Sequence, residues 1–246
     1  MHRGTNVSTI ALGRDGGLVF GGGGGLWKWT EKSGCESIVA EHEGEALAIN
    51  DMIADARGRI YAGTVYWGAN GREKHGKIYL VDSSGVKVVE EGIELANGMG
   101  FSRDGRTFYF ADSALRRIYS YRVDERDGKL SERKTFVQLQ KDDGLPDGLT
   151  VDAQDHVWCA FWYGGEVMRF DPDGKVQRVI EVPAIQTSSI AFGGREMDEL
   201  YITTAAEAWP SGLAPATYHA EAQNQGGGLY RIKPGVRGKG EYLAEF

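Results

Sequence analysis

Along the chain, apolar runs of four to six residues alternate with clusters of Gly, Asp and Asn, and no long helical period is visible. Runs of that length bounded by turn-forming residues predict short strands joined by hairpins. The pattern also repeats. The turn in "GRDGGLVF" returns as "DARGRIYA", "SRDGRTFYF", "DAQDHVWCA" and, stretched, "GREMDELYI". Gly16, Gly58, Gly105, Asp155 and Met197 mark the five copies, which are 42, 47, 50 and 42 residues apart. Each copy closes with a second hairpin: "GGGLWKWTEKSG", "HGKIYLVDSSG", "LRRIYSYRVDERDG", "GGEVMRFDPDG" and "GGGLYRIKPG". Four strands in each period fit a β-propeller blade. The pattern therefore predicts an all-β chain, a single propeller domain over 1–246, with four-stranded blades near 6–34, 46–85, 95–128, 145–174 and 186–235. The glycine run 21–25 has the composition of a flexible linker, but it sits inside a blade's strand-turn-strand, so it reads as a tight turn.

A chain of 246 residues can bury a sizeable core without disulfide or metal staples. It carries 28 Lys and Arg against 35 Asp and Glu, a formal charge of −7 with no basic stripe, which argues against a nucleic-acid partner. The opening "MHRGTNVSTIALGRDGG" has no apolar core of a leader, and no segment approaches the ~20 apolar residues of a membrane helix. A soluble, cytoplasmic protein without a membrane partner is expected. The two cysteines have no zinc-ligand spacing. Cys159, in "VWCAFW", reads as a buried hydrophobe, and Cys35, in "KSGCES", as a turn residue.

Aligning the copies on their turns places Ser8, Asn50, Asn97, Asp147 and Ser188 in one equivalent position, just before the apolar part of each blade's first strand. First strands line a propeller's channel, so this polar slot predicts oxygen-bearing side chains converging at a channel mouth. The competing reading is that Asn, Asp and Ser are turn-formers ahead of a strand.

"NGMGFSRDGRTFYFADSALRRIYSYRVD", "GLPDGLTVDAQDHVWCAFWYGGEVMRFDPDGKV", "SSIAFGGREMDELYITTA" and the closing "GGGLYRIKPGVRG" resemble the gluconolactonase/regucalcin (senescence marker protein, luciferin-regenerating-enzyme-like) family. The resemblance covers nearly the whole chain. It implies a six-bladed propeller that holds one divalent cation and hydrolyses sugar lactones and related esters. It assigns Asn97 and Asp147 as metal ligands, with Asp147 also the general base, and Asn50 as a substrate contact. Where the family often carries an Arg two residues before that Asn, this chain has Ala48. Where the family often carries an acidic sugar contact, it reads "VYWGANGREKHG", with Tyr66 and Trp67 as candidate substrate contacts. The family's third metal ligand, a Glu in a Gly-Glu-Gly-Pro segment of its first blade, has no counterpart. On this resemblance the chain starts where the family's second blade starts, so one blade is missing, and five copies stand where the family has six.

The resemblance thus implies a lactonase with a small lactone as partner and one cation, Ca²⁺, Zn²⁺, Mn²⁺ or Mg²⁺, in an oxygen-rich site. The alternatives are a non-catalytic propeller that binds a ligand or protein, or an inactive, N-terminally shortened form. Glu45 and Asp51 are candidates to replace the missing carboxylate, although Asp51 is expected on the opposite strand face from Asn50 and Glu45 in a solvated loop. His42, His75, His156 and His219 have no ligand-spaced partner and read as turn or surface residues. The long irregular stretch "AWPSGLAPATYHAEAQNQ" makes Trp209, Tyr218 and His219 candidate lid residues. Trp162 and Tyr163 are candidates to line the channel mouth. A serine nucleophile is set aside because no G-x-S-x-G elbow occurs.

Overall fold

The computed structural model describes residues 6–68, 70–207, 212–219, 221 and 224–246. Among them there is no helix, and the chain forms two compact units, one of residues 1–68, 72–96 and 241–246, the other of 69–71 and 97–240.

The first unit holds two four-stranded antiparallel sheets. The first runs in order through β1 (Val7–Leu12), β2 (Leu18–Gly22), β3 (Gly25–Thr30) and β4 (Gly34–Val39). A two-residue pair follows, β5 (Glu41–His42) with β6 (Glu45–Ala46). The second sheet comprises β7 (Ile49–Ala54), β8 (Ile60–Thr64), β11 (Gly76–Asp82) and β12 (Gly85–Ile93), with the small hairpin β9 (Tyr66–Gly68) and β10 (Gly71–Lys74) inserted between β8 and β11. The C-terminal stretch returns to the first sheet, where the Ala244 amide donates to the Leu12 carbonyl at 2.8 Å.

The second unit holds three sheets. These are β13 (Ala96–Phe101) through β14 (Thr107–Asp112), β15 (Arg117–Val123) and β16 (Leu130–Gln138); β17 (Leu145–Val151) through β18 (Val157–Trp162), β19 (Glu166–Phe170) and β20 (Val176–Glu181); and β21 (Thr187–Gly193) with β22 (Glu199–Thr204) and β23 (Leu229–Ile232). The last sheet has three strands among the described residues rather than the expected four.

The turns explain why the repeat was visible. All five marker residues have left-handed backbones, with φ of 83° at Gly16, 80° at Gly58, 72° at Gly105, 60° at Asp155 and 54° at Met197. The glycines that close the second hairpins, Gly34, Gly85, Gly128, Gly174 and Gly235, are also at positive φ. Gly adopts that region without a Cβ penalty, and Asp tolerates it better than most residues.

Each core is a layer shared by consecutive sheets of one unit. In the first unit, Val19 and Leu26 pack with Ile49, Met52, Ile60 and Tyr79. In the second, Tyr109, Ala111 and Ile118 pack with Val151, Cys159 and Phe161, and on the other side of the middle sheet Trp158 and Ala160 pack with Ile190, Leu200 and Ile202. The middle sheet is covered on both faces, which is why "VWCAF" is apolar without alternation. Cys159 is buried as expected, and desolvation, then the charge of Asp147, push its thiol well above the ordinary range. Cys35 is not in a turn: it is the second residue of β4, half-buried, and both thiols are free.

Candidate functional site: a polar position at strand bulges

Four of the five residues of the polar slot, Ser8, Asn50, Asp147 and Ser188, share a backbone feature. In the pairing of β7 with β8, Ile49 faces Thr64 and Asp51 faces Gly63, so Asn50 is an extra residue with no opposite number. The same register shift isolates Ser8 between Val7 and Thr9, and Ser188 between Thr187 and Ser189. In the pairing of β17 with β18 the shift falls between Pro146 and Leu149 and takes in Asp147. A bulge of this kind bends the strand and re-aims one side chain away from the regular alternation. Turn-forming propensity alone does not account for this placement, because these residues lie inside the strands.

In the second unit the position stands out by burial. β13 buries every residue except Asn97, and β17 buries every residue except Asp147. The two strands approach closely: a Cβ added to Gly98 would lie 2.3 Å from the Asp147 carbonyl oxygen and 2.4 Å from the Leu149 nitrogen. A Cβ on Gly148 would lie 2.2 Å from Ser189 Oγ on β21. Glycine after Asn97 and after Asp147 lets neighbouring first strands meet closely.

One residue that was not singled out in the sequence orients the pair. Asn97 Nδ2 donates to Ser113 Oγ at 2.8 Å, and Ser113 Oγ donates to the Pro146 carbonyl at 2.5 Å. Ser113 is fully buried. It fixes the NH₂ end of the Asn97 amide, and thereby the direction of Oδ1, while gripping the residue before Asp147. Its only sequence signal is the "ADS" that ends the second strand. Arg116, also unflagged, sits at φ 51° in the β14–β15 turn and donates to the carbonyls of Asp143 (3.3 Å) and Leu213 (2.7 Å). Burial lowers its pKa.

The other predicted site residues belong to the first unit. Asn50 Nδ2 donates at 2.7 Å to the carbonyl of Ala96, which closes the 72–96 part of the same unit. The Tyr66 hydroxyl donates to the Ala46 carbonyl at 2.8 Å, with the Lys74 ammonium 3.8 Å above its ring, and Trp67 is half-buried beside it on β9. Glu45 is not free in a loop: it lies in β6, bonded to Lys74 and 3.7 Å from Lys77, and the Lys74 bond lowers its pKa. Because of the bulge, Asp51 and Asn50 are both half-buried. Asp51 Oδ1 accepts the Thr9 hydroxyl and the Met52 amide, each at 2.8 Å, but desolvation outweighs them and raises its pKa.

Among the described residues, no group of three or more His, Cys, Asp or Glu side chains is arranged to hold a metal. His42 packs edge-on to Tyr79, His75 lies 3.4 Å from Glu94, and His156 contacts the Gln154 carbonyl. Of the candidate lid residues, Trp209 lies outside the described residues, whereas Tyr218 and Gln225 bond one another at 2.7 Å. No helix of the described residues is long and apolar enough to cross a membrane.

Comparison with known proteins gives this arrangement a context. Residues 1–206 match the SMP-30/gluconolactonase/LRE-like family model. The chain is 35% identical over 242 residues to the pentonolactonase XacC of Haloferax volcanii, covering 97% of this chain and 80% of that protein. It is 31% identical over 245 residues to human regucalcin, covering 96% and 80%. Among solved structures, a luciferin-regenerating enzyme superposes with a TM-score of 0.85 at 25% identity, covering 99% of this chain and 83% of that one. The calcium-binding protein regucalcin from Agrobacterium tumefaciens superposes with a TM-score of 0.81 at 27% identity, covering 98% and 80%. The fold class is therefore the β-propeller, and the chain belongs to the SMP-30/gluconolactonase/LRE-like family.

Proposed function

We propose that the chain hydrolyses a small, sugar-derived or related lactone, with Asn97 and Asp147 at the reacting end. One observation carries the reading: in two strands that otherwise bury every side chain, the residues left accessible are an amide and a carboxylate on neighbouring strands. The lactonase activity of the family, named in the Haloferax volcanii pentonolactonase, supports the reaction class.

The donors fit a hard divalent cation, since both are oxygens and the Asn97 amide is held by Ser113 with its NH₂ end turned away. Asn97 Oδ1 and an Asp147 carboxylate oxygen would hold Ca²⁺ or Mg²⁺, or Mn²⁺ or Zn²⁺, with waters completing the shell. When bound, such an ion supplies a Lewis acid that polarises a carbonyl and lowers the pKa of water. Asp147 takes a proton from the attacking water as its oxygen bonds to the lactone carbonyl carbon. The ring C–O bond then breaks, and the leaving oxygen recovers a proton to give the open-chain hydroxy acid. Asn50, Tyr66 and Trp67 are assigned to substrate contact. With a single carboxylate, the site should bind a dication weakly, because ligand charge largely sets affinity.

A second reading, a ligand-binding propeller without turnover, draws on Ala48 and on that single carboxylate. Acid release from a panel of aldonolactones separates the two, followed after chelation and after return of each cation. Turnover that disappears on chelation and returns with a cation supports the hydrolase. Saturable binding of the lactones with no acid released supports the binding propeller.

A further inference from the structure

Two buried polar atoms in the second unit, Trp162 Nε1 and Gln186 Oε1, have no hydrogen-bond partner. The two residues face one another across an isolated antiparallel bridge. Directly opposed residues in such a bridge project to the same side, about 5 Å apart at Cβ. One is a donor only, and the other is an acceptor. Burying both without a partner carries a desolvation penalty that one hydroxyl group bonded to both would remove.

Their place in the fold indicates which. Trp162 also pairs with Leu145, two residues before Asp147, and Gln186 lies two residues before Ser188 in the polar slot. The next residue, Tyr163, is buried at φ 66°, a backbone state that a bulky side chain rarely adopts. Tyr163 packs against Tyr218 with ring centroids 4.6 Å apart. Gln186 Nε2 donates to Tyr218 (3.1 Å) and to Gln225 (2.9 Å), which fixes the amide so that Oε1 is the orphaned end. Tyr218 and Gln225 thus cap the pair. Gln225 is anchored, since the Gln186 amide donates to its carbonyl at 3.0 Å and the Ile185 amide to that of Asn224 at 2.7 Å, whereas Tyr218 is half-buried between the exposed Thr217 and His219. The Tyr218 side chain is therefore the part of the cap that can turn aside.

We infer that Trp162 and Gln186 form a subsite for one hydroxyl group of a polyhydroxylated ligand, uncovered when the Tyr218 side chain turns aside while Gln225 keeps its hold on Gln186 Nε2. The hydroxyl oxygen accepts from the indole N–H, and its proton is donated to Gln186 Oε1. A group able only to donate or only to accept leaves one of the two atoms unsatisfied. The inference rests on the lactonase reading for the identity of the ligand, a lactone that carries hydroxyls on its ring.

The test compares a pentono-1,4-lactone with unsubstituted γ-butyrolactone, using the whole chain and the variants Trp162→Phe and Gln186→Met. Trp162→Phe removes the N–H and keeps an aromatic ring. The ratio of kcat/KM values, hydroxylated over unsubstituted, should fall about tenfold in each variant. Thermal unfolding should show Trp162→Phe no less stable than the parent, since an orphan donor has been removed. An unchanged ratio in both variants overturns the subsite and leaves the lactonase reading intact. Calorimetric binding of the open-chain pentonic acid provides a readout without turnover. If the parent hydrolyses neither lactone yet binds the acid, and both variants weaken binding about tenfold, the reaction assignment falls and the subsite stands. If the parent does not bind the acid, or the variants bind it equally well, the subsite falls.

Discussion

The two ends of β17 carry two aspartates in opposite circumstances. Asp147, at the bulge, is the half-buried exception in its strand. Asp152, in the turn just past the other end, is fully buried and saturated. It accepts from Arg169 Nε (2.8 Å) and Nη2 (2.6 Å), from Trp158 Nε1 (2.9 Å), and from the amides of Gln154 (2.8 Å) and His156 (3.1 Å). The second sheet repeats this device: Asp55 accepts from Arg59 Nε at 2.6 Å and from the Arg57 and Arg59 amides. A carboxylate with every lone pair engaged locks a turn and has no capacity left for a ligand. One held at a bulge, in a strand that close glycine contacts keep rigid, can serve chemistry. Residue type does not distinguish the two aspartates; strand position does.

The largest stability effect belongs to the turn end. Asp152→Ala strands a buried guanidinium and should cost about 3–5 kcal/mol in urea unfolding. Gly98→Ala tests the rigidity of the slot end. Its methyl meets backbone on β17 rather than a flexible side chain, so it should cost about 1–3 kcal/mol. It should also lower turnover, because the strand that shifts carries Asp147.

A smaller effect is expected at Asp51. Its pKa is raised on folding, so the native state favours the protonated form, and the associated stability is present at low pH and lost as pH rises through the raised value. Asp51→Asn keeps an acceptor for Thr9 and Met52 without the charge. It should therefore be more stable than the parent at pH 7, with the advantage vanishing below the ordinary aspartate value of 3.8. A variant that is less stable at pH 7 would contradict the assignment. Glu45→Gln should have the smallest effect, within about 1 kcal/mol, since the Lys74 pair is solvent-accessible.

Much of this organisation could be read from local patterns. The five left-handed turns were legible because Gly16, Gly58 and Gly105 meet a local backbone demand, and Asp155 and Met197 fell into line by spacing. The fourth strands were harder to read. β16 and β20 are mostly exposed, so their sequences carry little apolar signal. The slot residues stood out by alignment, but the bulge at Ser8, Asn50, Asp147 and Ser188 is a register shift between strands, which no local window contains. Ser113, Trp162 and Gln186 depend on partners 16 to 33 residues away or more, across strands and turns. Their importance is a property of packing.

The most direct test of the slot as the reacting end is Asp147→Asn, assayed on one preparation for lactone hydrolysis and for urea unfolding. The account predicts that kcat/KM falls about 100-fold or more, from loss of the base and the anionic ligand, while unfolding stability stays within about 1 kcal/mol of the parent. Turnover at the parent's rate, or a loss explained by an equal loss of folded protein, would contradict it.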